Sequence, residues 1–146
     1  MEILENTLEG QLESVLDRPL FCFFGTVTPE CHPRISPLWV LWEDNAVWIT
    51  ADTVEKSDTE RVAQRPETAL AVVDFDVHTG RVEHVGMRGT AAVTRARRLL
   101  RKYLGEEIDE WDPGFVDLDP DRWSSIQFTP DTVVARDQSF SPSLEQ

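Results

Sequence analysis

The strongest constraint on this chain is a change of hydrophobic period at Pro19. Beyond it, runs rich in aromatic and β-branched residues follow one another, separated only by short groups of turn-forming residues. The first run is Phe21-Cys22-Phe23-Phe24-Gly25-Thr26-Val27, and Thr28-Pro29-Glu30-Cys31-His32-Pro33 supplies a turn. Arg34 to Glu43 forms a second run, and Asp44-Asn45 makes a tight turn into Ala46-Val47-Trp48-Ile49-Thr50-Ala51. Three strands joined by turns this short pair as an antiparallel meander.

The pattern continues downstream. Asp52 to Arg65 is polar and stops at Pro66, which reads as a loop and a short helix. Ala69 to Phe75 is a fourth strand, so continuously apolar that a central position is expected, and Val82 to Thr94 is a long fifth strand. Arg95 to Leu104 has a helical stripe of Leu99, Leu100, Tyr103 and Leu104, stopped by Gly105. Glu106 to Asp121 carries eight acids and no base and reads as a surface loop. Trp123 to Phe128 and Thr132 to Arg136 form a last strand, continuous or broken at Thr129-Pro130-Asp131. Ahead of Pro19, Ile3, Leu4, Leu8, Leu12, Val15 and Leu16 fall at helical spacing, which predicts an amphipathic helix over residues 1–17. Residues 137–146 read as a tail. No repeat and no dividing linker is visible, so residues 1–146 are expected to form one domain. About six strands with a few peripheral helices predict a mainly β fold, a small closed antiparallel barrel.

Composition narrows the partners. The 27 acidic residues outnumber the 14 basic ones, giving a net charge of -13, and only Lys56 and Lys102 are lysines. Such a surface repels phosphate backbones and anionic lipid, so neither nucleic acid nor membrane is an expected partner. Salt adaptation and plain acidity both account for this composition. The acidic N-terminus and the lack of a long apolar run predict a cytoplasmic protein. Two cysteines exclude a disulfide scaffold, and His32, His78 and His84 show no metal-ligand spacing, so no metal is expected. Phosphate loops, nucleophile elbows and zinc-protease motifs are absent from the sequence.

Between residues 19 and 60 the permanently positive side chains are Arg34 and Lys56. Each stands near a strand end, and Ser36, Thr50, Thr53 and Ser57 offer hydroxyl donors nearby, a set able to clamp a phosphate. Alternation puts Arg34 and Ser36 on one strand face. Simple pairing of each cation with a surface acid is the competing reading. His84 and Arg88 share a face of the fifth strand, where they either flank a cavity or serve structure alone. Trp39, Trp42 and Trp48 on adjacent strands either border a flat ligand or fill the core.

The stretch from Thr26 to Trp42 resembles the opening hairpin of the pyridoxamine 5'-phosphate oxidase-like family of flavin- and deazaflavin-binding split β-barrels, where a pattern T-V-x-x-x-G-x-P-x-V-S-P-x-W is common. Val47-Trp48-Ile49-Thr50-Ala51, Arg65 to Leu70, Val85 to Ala91 and Ile126 to Val134 are similar to later family segments, in the same order. The resemblance implies a homodimeric split barrel binding FMN, or alternatively F420, and acting as an oxidoreductase on a small-molecule substrate. It implies cofactor contacts at Arg34, Ile35, Ser36, Pro37, Thr50, Ala51, Lys56 and Ser57. Trp123 and Arg136 become candidates for closing the partner subunit's site. The family turn has glycine where this chain has Cys31, a choice that serves positive φ. The stretch from Lys56 to Pro66 is about two residues longer than the family pattern, and a count along the helix puts Asp58 at the phosphate position. A non-catalytic flavin- or haem-binding protein and a barrel without cofactor are the alternatives from other classes.

Overall fold

A computed structural model describes residues 1–52, 58–94 and 123–142. Its elements in chain order are β1 (Glu2–Asn6), α1 (Glu13–Leu16), β2 (Phe21–Val27), β3 (Pro33–Glu43), β4 (Ala46–Asp52), α2 (Asp58–Gln64), β5 (Glu67–Asp76), β6 (Arg81–Thr94) and β7 (Trp123–Asp137). The strands pair in the order β1-β7-β4-β3-β2-β5-β6, and a further β7–β6 pairing joins the ends, so six strands close into a barrel. Each of the six has a neighbour on both sides, and the part of β7 that runs past β4 is covered by β1. All their pairings are antiparallel. This is the split β-barrel, mainly β with two short helices among the described residues.

The local chemistry explains the meander. Asp44 and Asn45 take φ of 56° and 55°, the left-handed pair that a two-residue hairpin needs and that Asp and Asn tolerate better than most residues. Alternation then sorts each strand. Cys22, Phe24, Leu38, Val40, Val47, Ile49, Leu70, Val72, Val85, Ile126 and Phe128 point inward and are buried. Phe24 and Phe128 meet edge-on, their centroids 6.4 Å apart and their planes at 83°, a contact of about 0.5–1.5 kcal/mol beyond area burial. The fourth predicted strand lies between β2 and β6, but in a closed barrel this singles out no central strand, and its outer-face Val73 and Phe75 are exposed.

Each end of the barrel has its own plug. At one end α1 inserts Val15 and Leu16, and Trp42 Nε1 donates to Glu13 at 3.1 Å. Arg18, just beyond α1, donates to Asp74 at 2.6 Å and Glu83 at 2.9 Å, tying α1 to β5 and β6. At the other end α2 contributes buried Val62 and a polar network described below.

Two expectations are corrected and one open alternative is resolved. No helix spans residues 1–17: Glu2–Asn6 is a strand, parallel to β7 with Glu2 opposite Thr132 and Asn6 opposite Ala135, and only Glu13–Leu16 is helical. The unpaired side of β7 offers backbone groups that a local helix would leave idle. The last strand is unbroken; at Pro130, which lacks an N–H, the register shifts so that Asp131 is an extra residue opposite Arg88-Gly89. Residues 137–140 are not a loose tail, since Asp137 ends β7, Gln138 N–H donates to Val82 O at 2.7 Å and Phe140 N–H donates to Gly80 O at 2.8 Å. The helix and acidic loop expected over Arg95–Asp121 lie outside the described residues. Among the described residues no helix is long and apolar enough to cross a membrane.

Candidate functional site

The hairpin of β2 and β3 carries half of the expected site residues. Register places Arg34 opposite Thr26, Ile35 opposite Gly25, Ser36 opposite Phe24 and Pro37 opposite Phe23. Because alternation is strict here, these residues divide between two faces. Arg34 and Ser36 follow the inward parity of Leu38 and Val40 and stand at the lip of the barrel. Ile35 and Pro37 are on the outer face, Ile35 with 72% of its surface exposed. Thr50 lies in β4 opposite Ser125, and the backbone of Ala51 is paired with Ser124. Lys56 and Ser57, as well as Thr53, lie outside the described residues.

Arg34 is exposed; its guanidinium donates to the Pro33 carbonyl at 3.0 Å and makes no ion pair among the described residues. In a chain with net charge -13 an unanswered cation stands out. Ser36 behaves otherwise. Its hydroxyl donates to Oδ1 of Asp58 at 3.0 Å, and the same oxygen accepts Nη2 of Arg61 at 2.7 Å. Arg61 Nε continues to the hydroxyl of Thr26 at 2.7 Å. Thr26 and Asp58 are each 1% exposed, and Oδ2 of Asp58 has no hydrogen-bond partner among the described residues. Four residues from three elements thus lock α2 onto the barrel mouth. A buried carboxylate is tolerated there because the Arg61 cation neutralises it. Neither Thr26 nor Arg61 is among the residues expected at this site; the signal for Thr26 is a polar residue at the inward end of an otherwise apolar strand face, and Arg61 on α2 carries no such signal.

Trp42 is core, whereas Trp39 and Trp48 are half-buried. The outer surface is continuous across strands. One row runs Ile35, Gly25, Ala69, Arg88, Thr132, and the next runs Pro37, Phe23, Ala71, Gly86, Val134. Large apolar side chains stay exposed on it, among them Phe21, Phe23, Ile35 and Phe75. At the β6–β7 end the surface dips into a groove of about 470 Å³ bordered by His84, Arg88 and Arg136. His84 and Arg88 therefore do flank a cavity, and Arg136 joins them. Arg136 is paired with Glu5 of β1 through two bonds of 3.1 and 2.9 Å. The hydrogen bond and the attraction of Glu5 raise the pKa of Arg136, while contact with Arg136 lowers that of Glu5.

Residues 8–136 match the family model described as pyridoxamine 5'-phosphate oxidase. No curated protein matches the chain. Solved structures share the fold: an F420 reductase has 20% identity and a TM-score of 0.66, covering 86% of this chain and 98% of its own. A conserved hypothetical protein from Mycobacterium tuberculosis has 14% identity and a TM-score of 0.73, with coverages of 94% and 89%. An FAD- and haem-binding protein from Mycobacterium smegmatis has 14% identity and a TM-score of 0.72, with coverages of 94% and 75%.

Proposed function

The chain belongs to the pyridoxamine 5'-phosphate oxidase family, and from that premise we propose that it binds a flavin-type cofactor, FMN in the first reading, and acts as an oxidoreductase on a small molecule. The observation that carries the proposal is Arg34, an exposed cation at the barrel lip with no acid paired to it among the described residues, in a strongly acidic chain. The outer-face side chains of Ile35 and Pro37 adjoin it and offer an apolar platform for a planar ring, with Thr50 on the neighbouring strand β4. Lys56 and Ser57 are proposed as the remaining phosphate contacts, and Ala51 as a backbone contact. When bound, the flavin supplies the hydride chemistry; the protein's part is to hold the phosphate, orient the ring and limit access of water.

F420 is the second reading, and Ser36 favours it. With its hydroxyl committed to Asp58, Ser36 is a poor partner for a dianionic monoester. A phosphodiester carries a single charge and is satisfied by fewer cations. The F420 reductase among the structural relatives supports the same alternative. The FAD- and haem-binding relative keeps a non-catalytic carrier as a third.

The exposed apolar outer face, with Phe21, Phe23, Ile35 and Phe75, is proposed as the surface on which a second copy packs, forming a homodimer whose site Trp123 and Arg136 of the other subunit help to close. Light scattering reads this directly against the monomer mass of 16.7 kDa. For the cofactor, the protein is titrated with FMN, riboflavin and F420. Arg34→Ala and Lys56→Ala should each weaken FMN by roughly ten- to a hundredfold and leave riboflavin nearly unchanged. Equal losses for FMN and riboflavin would place the damage in the ring contacts. Absence of binding to any flavin would remove this reading and leave haem or an empty barrel.

A further inference from the structure

At Arg34 the barrel wall is only two strands wide among the described residues. β2 pairs with β5 from Cys22 to Gly25, and β3 pairs with β4 from Val40 to Glu43. Thr26 and Val27 on β2, and Pro33 to Trp39 on β3, therefore have no strand on their far side among the described residues. Thr26 opposite Arg34 and Val27 opposite Pro33 are the last rungs of a hairpin that projects past its neighbours. A two-stranded hairpin is marginally stable by itself, so the projecting end depends on support from another element.

Helix α2 supplies that support through three side-chain bonds. Arg61 Nε donates to the Thr26 hydroxyl at 2.7 Å, Asp58 accepts from Ser36 at 3.0 Å, and Arg65 Nη2 donates to the Pro29 carbonyl in the turn at 2.9 Å. Of the three, Arg61 has the most direct hold on Arg34. Opposite residues of an antiparallel pair carry their side chains on one face, with Cβ atoms about 4.5–5.5 Å apart, so Arg61 grips the cross-strand neighbour of Arg34. Arg61 is not itself a second anion ligand. Its Nη2 stands 2.7 Å from Asp58 Oδ1 and its side chain is only 13% exposed, so its charge is already answered.

We propose that Arg61 is a positioning residue: by holding Thr26 it fixes the hairpin end, so that the Arg34 guanidinium is carried in the place where it meets a cofactor phosphate. This role rests on the reading of Arg34 as the phosphate ligand. It adds that the strength of the phosphate contact is set by a side chain that never touches the phosphate. Loss of the Ser36 hydroxyl leaves the Arg61 bonds to Thr26 and Asp58 in place, so Ser36 is the lesser tether.

The test compares two variants of the full chain. Arg61→Lys keeps the charge but not the fork that reaches Thr26 and Asp58 together, and Thr26→Val keeps the shape but not the hydroxyl. Without ligand, amide exchange at Thr28 and Cys31, whose N–H groups close the turn, should become at least about tenfold faster in each variant, with a smaller change at the slowest core amides. With ligand, each variant should lower the preference for FMN over riboflavin by about three- to tenfold and leave riboflavin affinity unchanged. In an Arg34→Ala background the same substitutions should leave FMN affinity unchanged, because they act through Arg34. Unchanged turn amides, an FMN preference kept in both variants, or an equal loss in the Arg34→Ala background overturns the positioning role and leaves Arg34 as the phosphate ligand. A wild-type protein that binds FMN no more tightly than riboflavin overturns the phosphate reading itself, and this role with it.

Discussion

Ser36 donates its hydroxyl to Oδ1 of Asp58 across 3.0 Å, so a side chain expected to meet a phosphate is spent on holding α2 to the barrel mouth. The carboxylate it serves is 1% exposed and also takes Arg61, which reaches on to Thr26. Arg34 is left as the exposed cation of this lip with no acid paired to it among the described residues.

Ser36→Ala should therefore act on stability more than on ligand binding. Removing one donor from a buried, half-satisfied carboxylate costs about 1–2 kcal/mol, read by urea denaturation. Flavin affinity should change less than about threefold. A large loss of affinity with unchanged stability would return Ser36 to the cofactor.

Cys31 sits at φ 67° in the β2–β3 turn, a conformation that disfavours any side chain with a Cβ. The turn is held by backbone bonds that glycine keeps, Cys31 N–H to Thr28 O and Thr28 N–H to His32 O, both 2.9 Å. Cys31→Gly should raise stability by about 0.5–1 kcal/mol, the relief of strain exceeding the added freedom of the unfolded chain. An unchanged or lowered melting temperature would contradict this.

Glu5 gives a pH signature. Its hydrogen bond to Arg136, aided by the charge of that residue, holds its pKa below the usual 4.5. A depressed carboxyl pKa contributes stability above the unfolded value and loses it as pH falls through the folded one. The stability difference between wild type and Glu5→Gln should thus be present at neutral pH and fade below 4.5. Urea titrations across that range check the sign. A difference that grows on acidification would show that the Glu5–Arg136 pair does not favour the native state.

The net charge of -13 sets the response to salt. If the composition is salt adaptation, raising KCl from about 0.1 M to about 2 M should lift the melting temperature by roughly 5 °C or more, as screening relieves repulsion between carboxylates. A flat or falling curve would leave plain acidity as the account.

The sequence by itself determined what depends on neighbours along the chain. The Asp44-Asn45 turn and the inward alternation of Cys22 and Phe24 are set by local sterics and by period-two patterning, so they are legible in the order of residues alone, whereas the left-handed turn at Cys31 is implied by the family resemblance. That Arg34 and Ser36 share a face is legible for the same reason. The tertiary structure decided whatever needed a partner far away. Ile3 and Leu4 carry helical spacing, yet the N-terminal segment pairs with β7 more than a hundred residues later, because an open strand side rewards extended backbone. Ser36 is captured by Asp58, 22 positions on, because α2 folds back over the barrel mouth, and spacing along the chain carries no record of that return.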